Sequence, residues 1–134
     1  MTGSVRTLAV MIVNDHPIMR DGLRLAVENE ADMRVVCEVA SQAEAIDQFN
    51  ACKPDVVLID LQGCSNPGFV AIRAIRHVSS ATPIVVLTTF ADQATRLRGL
   101  SLDHTICLSK TATPGEVLET LRTLATRAAP GEQR

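Results

Sequence analysis

Short apolar runs alternate with longer amphipathic stretches along the chain. Leu8–Val13, Met33–Val39, Val56–Ile59, Pro83–Leu87 and Thr105–Ser109 have the length and β-branched content of strands. A segment of helical spacing follows each of them. The first helix begins near Pro17, because proline needs no N–H partner in a first turn. Its face carries Met19, Leu23, Ala26 and Val27. The second opens on "SQAE", Ser41 to Glu44, a capping box. The third opens around "SNPG", with Ser65 or Asn66 as cap and Pro67 in the first turn. The fourth, near Ala91–Leu100, has the weakest stripe. The fifth opens on "TPGE", Thr113 to Glu116, a second capping box, and its stripe is Val117, Leu121, Leu124, Ala125 and Ala128.

Five strand–helix units in succession predict an α/β fold with a parallel sheet covered on both faces. Val10–Val13, Val56–Ile59 and Ile84–Leu87 are unbroken apolar runs, as buried central strands require. Met33–Val39 carries Arg34 and Glu38, and Thr105–Ser109 mixes Thr, Cys and Ser with Ile106 and Leu108, so both read as edges. Three central strands between two edges fit the order 2-1-3-4-5, a doubly wound (βα)5 flavodoxin-like sheet. "APGEQR" at the end reads as a tail or the start of a linker, so residues 1–128 form the domain and 129–134 lie outside it.

In such a sheet, chemistry collects at the carboxyl ends of the strands. Strand 1 runs into Asn14 and Asp15, strand 3 into Asp60, strand 4 into Thr88 and strand 5 into Lys110. The strand order brings these groups to one rim. A divalent cation relieves the repulsion between two neighbouring carboxylates, and Mg²⁺ accepts a few of them while keeping several waters. A carboxylate can also attack phosphorus to form an acyl phosphate. A hydroxyl and an ammonium then suit the charged oxygens of the transferred group. Taken one at a time, Asp15 could cap a helix, Asp60 could sit in a turn, and Thr88 and Lys110 could be ordinary strand-end and solvated residues.

The composition excludes several alternatives. The chain has 134 residues, enough for one domain, and is 46% hydrophobic, enough for a core without staples. A net charge of −2 and 2% aromatics leave neither a basic footprint nor stacking platforms for nucleic acid. No apolar run approaches the roughly 18 residues of a membrane span. "MTGSVRTLAVMIV" reads as a strand and not as a signal peptide. Cys37, Cys52, Cys64 and Cys107 include no CxxC pair, so zinc is not indicated. The absence of an export signal points to the cytoplasm and to reduced thiols. Cys37 and Cys107 read as core filling, and Cys64 falls in a loop. His16, His77 and His104 read as bystanders.

"VMIVNDHPIMRDGL", "KPDVVLIDLQ", "PIVVLTTF" and "LSKTATPGEVLETLR" resemble the receiver domain of bacterial response regulators. They are most similar to the NarL/FixJ class, usually joined to a LuxR-type helix-turn-helix, and the resemblance covers roughly residues 7 to 126. It implies that a sensor histidine kinase donates a phosphoryl group to Asp60. Asp15 would bind Mg²⁺ together with Asp60 and the backbone carbonyl of Gln62, with Asn14 contributing weakly or indirectly. Thr88 would be the switch hydroxyl and Lys110 the phosphate-pairing lysine, while Gln62 and Phe90 would flank the acceptor and tune hydrolysis. The resemblance also implies a homodimer, often through helices 1 and 5 or across the helix 4–5 face. DNA would be contacted only through an output domain absent from this chain.

The sequence departs from the family pattern at several positions. The acidic pair is "ND", which removes one negative charge. The usual "DxxMPxxxG" is "DLQGCSNPG", and Cys107 stands at the switch aromatic. A degenerate receiver that acts as a phosphate-independent dimerisation or interaction module is therefore the alternative. A small enzyme on the same architecture fits less well, because Gln62 stands where an aspartyl phosphatase would place its second acid and no glycine-rich phosphate loop is present.

Overall fold

A computed structural model describes residues 7–60, 67–88, 104–109 and 112–127. Within them the chain runs β1 (Leu8–Val13), α1 (Pro17–Glu28), β2 (Met33–Val39), α2 (Gln42–Cys52), β3 (Val56–Asp60), α3 (Pro67–Val78), β4 (Ile84–Thr88), β5 (Thr105–Ser109) and α4 (Pro114–Arg127). The five strands form one sheet in the order β2-β1-β3-β4-β5, and every pairing is parallel. The edge strands are the two that the sequence marked. The helix expected near Ala91–Leu100 lies outside the described residues, as do the candidate caps Ser65 and Asn66.

Strand alternation explains why the central runs are apolar throughout. Met11, Val13, Val57, Ile59, Ile84 and Val86 face one side, where Ala45 and Phe49 of α2 and Ile72 and Ile75 of α3 close over them. Val10, Ile12, Val56, Leu58, Val85 and Leu87 face the other side, against Val27 of α1 and Val117, Leu121 and Leu124 of α4. Leu58 and Ile59 are fully buried, each worth roughly 1.5–3 kcal/mol relative to exposure. The stripe predicted for α1 is only partly buried. Val27 is enclosed and Leu23 half-buried, but Met19 stays 39% exposed near the amino end of the helix. Leu118 joins the α4 stripe in addition to the residues read from spacing, and Ala128 lies outside the described residues.

The helix starts follow local chemistry. Pro17 opens α1 and Pro67 opens α3. His16, not Asp15, caps α1, its Nδ1 accepting the Met19 N–H at 3.4 Å. The cap gives His16 a structural role that its sequence context did not indicate. Ser41 Oγ accepts the Glu44 N–H at 3.2 Å, while Glu44 reaches the Ala40 N–H at 3.3 Å, one residue beyond the usual box partner. At α4 the box is fully reciprocal: Thr113 Oγ1 accepts the Glu116 N–H at 3.1 Å, and Glu116 Oε1 accepts the Thr113 N–H at 2.7 Å. At the amino end of the two central strands, Asp55 Oδ2 accepts the Ala9 N–H at 2.8 Å and fixes β1 against β3 just before their paired register begins.

Candidate functional site

Register determines which residues meet at the carboxyl rim. Val13 pairs with Ile59, so Asn14 and Asp60 follow side by side as the two central strands end. β3 extends one residue further than the apolar run alone indicated, placing Asp60 inside the strand and opposite Leu87 of β4. β4 likewise runs to Thr88, whose backbone pairs with Ser109 at the end of β5.

Asp60 is 6% exposed and Asn14 is 1% exposed; they are the buried polar side chains of the described core. Asn14 Nδ2 donates to Asp60 Oδ2 at 2.9 Å. Asn14 Oδ1 accepts the His16 N–H at 2.8 Å, and the Asn14 backbone carbonyl accepts from Arg20 Nη1 at 2.7 Å. Arg20 in turn faces Glu38 of β2, with Nε 3.7 Å from its carboxylate. The turn between β1 and α1 is thus held from beneath by α1 and from the side by β2. Asp15, the next residue, is exposed at the mouth of this notch. One carboxylate is thus buried at a strand end, and a second is exposed on the residue that follows Asn14.

Those donors suit a hard cation. Carboxylate oxygens such as those of Asp15 and Asp60 are the ligand type that Mg²⁺ takes, with water filling its remaining positions. Among the described residues no group of three or more His, Cys, Asp or Glu side chains gathers to hold a metal by protein ligands alone.

The other expected site residues fall differently. Cys107 lies on β5, half-buried against the core face shared by α2 and α3. The Thr88 side chain, Gln62, Phe90 and Lys110 lie outside the described residues. Three contacts were not read from the sequence: the amide of Asn14 on Asp60, Arg20 on the Asn14 carbonyl, and the His16 cap. The quoted stretch "NDHPIMRDGL" contained the signal for the second, since a residue four positions after the cap His16 returns toward the strand end.

Away from the rim, burial and the neighbouring Cys52 thiol push the Cys37 thiol up to about 12. Arg122 of α4 donates Nε to Asp32 at 2.7 Å and also pairs with Glu30, and its hydrogen bond holds the Asp32 carboxyl below the usual carboxylate range. Among the described residues no helix is long and apolar enough to cross a membrane.

Comparison with known proteins agrees with this geometry. The profile of the response regulator receiver domain matches residues 10–122. The uncharacterised transcriptional regulatory protein YhcZ of Bacillus subtilis is 32% identical over 113 residues, 84% of this chain and 53% of that protein. The nitrate/nitrite response regulator protein NarP of Escherichia coli is 39% identical over 79 residues, 59% of this chain and 37% of that protein. A LuxR-family two-component response regulator from Aurantimonas has a solved structure with a TM-score of 0.80 and 29% identity, covering 90% of this chain and 86% of that one. The chain spans about half the length of the curated relatives it matches. With the strand order, the buried aspartate at the end of β3 and the matched profile together, the chain belongs to the response regulator receiver domain family.

Proposed function

We propose that this domain accepts a phosphoryl group on Asp60 from the phosphohistidine of a sensor kinase and passes the change to a transcription-regulating output. The observation that carries the reading is Asp60 itself, a carboxylate only 6% exposed at the end of a central strand and gripped by Asn14. A carboxylate oxygen of Asp60 attacks phosphorus, the P–N bond of the donor breaks, and its electron pair stays on the imidazole nitrogen. Mg²⁺ held by Asp15, Asp60 and the Gln62 carbonyl would neutralise the phosphoryl oxygens as charge shifts onto the leaving group. Lys110 pairs with the transferred group, Thr88 hydrogen-bonds it as the switch hydroxyl, and Gln62 and Phe90 set access of the hydrolytic water. The domain catalyses only its own phosphorylation and dephosphorylation, and it works in the cytoplasm.

The readout is a shift between two pre-existing conformations. It reaches a second copy of the domain and an attached DNA-binding output. Cys107 has too little bulk to swing as a switch aromatic, so the shift runs through Thr88 and the backbone of β5. The half-length match to transcriptional regulators supports an output beyond this chain. In the test, the chain is incubated with acetyl phosphate and Mg²⁺ and its intact mass is measured. Wild type gains one phosphoryl group; Asp60→Asn and a chelated sample gain none. An adduct that survives Asp60→Asn sinks the assignment. A wild type that gains no phosphoryl group, together with a partner complex indifferent to Asp60→Ala, favours the phosphate-independent module.

A further inference from the structure

Asn14 stands where one negative charge has been lost from the acidic pair, and the sequence assigned it a weak or indirect part in metal binding. Its surroundings give it a different role. Both ends of the side-chain amide are engaged, Oδ1 with the His16 N–H and Nδ2 with Asp60 Oδ2. Turning the amide over would set NH₂ against an N–H and a carbonyl against a carboxylate, so the network allows only one orientation. The residue is 1% exposed, and its backbone is pinned by Arg20. The end of the amide that meets Asp60 is its NH₂, which cannot ligate a cation, while Oδ1 is directed at the His16 N–H in the following turn.

We propose that Asn14 is a positioning residue for Asp60: a fixed neutral donor that holds the carboxylate through Oδ2 and takes no part in ligating the metal. The inference rests on the phosphoacceptor reading above. Its donor compensates part of the buried charge of Asp60 without adding charge. A carboxylate at position 14 would face Asp60 as a second anion and would need a cation to settle it. The metal-free form of this receiver is therefore stabilised by its own amide, and Mg²⁺ affinity is left to Asp15 and Asp60. With Oδ2 held, the carboxylate is fixed in rotation, which sets how it meets an incoming phosphorus atom.

Three measurements on the whole chain test this: Mg²⁺ affinity by calorimetry, thermal melting with and without Mg²⁺, and the rate of labelling by acetyl phosphate at saturating Mg²⁺. Asn14→Ala is expected to lose no more than about threefold in Mg²⁺ affinity, through the loosened Asp60, but to label roughly tenfold more slowly at saturating Mg²⁺, since the carboxylate loses its orientation. Asn14→Asp is isosteric and keeps the acceptor for His16. It is expected to melt below wild type without Mg²⁺ and to bind the ion roughly tenfold more tightly, so that Mg²⁺ raises its melting temperature further. A loss of Mg²⁺ affinity in Asn14→Ala as large as that in Asp15→Ala would make Asn14 a ligand and overturn the proposal. Labelling of Asn14→Ala at the wild-type rate, or an Asn14→Asp that melts like wild type without Mg²⁺, would also overturn it while leaving Asp60 as acceptor. A wild type that takes no phosphoryl group at any Mg²⁺ concentration overturns the phosphoacceptor reading and this proposal with it.

Discussion

A carboxylate at 6% exposure has given up most of its hydration, and Asp60 keeps its place because a neighbouring strand supplies a donor. The position of Asp60 could be read from the sequence, because an aspartate that ends an unbroken apolar run must come out at a strand terminus. Its bond to Asn14 could not. An asparagine offers both a donor and an acceptor, and which end faces the acceptor is decided by the His16 N–H in the following turn. The same limit applies to Cys37, read as core filling: its apolar surroundings were foreseeable, but the contact with Cys52 depends on how α2 lies against β2. With the thiol pushed up to about 12, Cys37 is predicted to resist iodoacetamide near pH 8 and to gain reactivity steadily as pH rises. Folding favours its protonated form, so this contribution to stability is complete below the free-thiol pKa and is lost as pH climbs toward about 12. Peptide mapping after timed alkylation checks the first point, and rapid labelling of Cys37 near pH 8 would refute it.

Elements here are positioned by short polar devices as well as by apolar faces. The capping boxes at Ser41 and Thr113 were legible because they are local in sequence, spanning four residues each. Arg76 was not, because its partners are distant. Near the end of α3 its Nη1 donates to the carbonyls of Ser79 and Thr82 at 3.2 and 2.7 Å. Its Nη2 donates to the His104 carbonyl and Thr105 Oγ1 at 3.1 and 3.0 Å. One guanidinium thus ties α3, the turn into β4 and the start of β5. His104, with φ 59° in the left-handed region, turns its carbonyl so that it accepts both Arg76 and the Ile84 N–H. Arg76→Ala is predicted to lower stability by about 2 kcal/mol, since several carbonyls lose a charged donor together. Arg76→Lys should restore only part of this, because a point charge cannot reproduce the fork. Urea melts measure both: a lower midpoint at constant slope is expected, and an unchanged midpoint for Arg76→Ala would show that the clamp contributes nothing.

At the scale of the whole molecule, strand order was legible because burial on two faces leaves a different mark from burial on one, as β1, β3 and β4 against β2 and β5 show. The Arg122 staple, which joins α4 to the turn between α1 and β2, left no such mark: its partners Glu30 and Asp32 are about ninety positions away. Because Arg122 lowers the Asp32 pKa, its stabilisation is present above the ordinary carboxylate range and is lost as pH falls through the lowered folded value. Solvent screening keeps it at about 1 kcal/mol or less. Arg122→Ala should therefore melt below wild type at pH 7, with the gap closing in acid; a gap that widens in acid would reverse the assignment. The central claim is that phosphoryl transfer ends on one strand-terminal carboxylate. Borohydride reduction of the acetyl-phosphate-treated chain, followed by peptide sequencing, tests it most directly, because an aspartyl phosphate is reduced to homoserine at the acceptor. Homoserine at position 60, formed only when Mg²⁺ is present, is the predicted result; homoserine at any other position, or an intact Asp60 in a chain that carries phosphate, would contradict it.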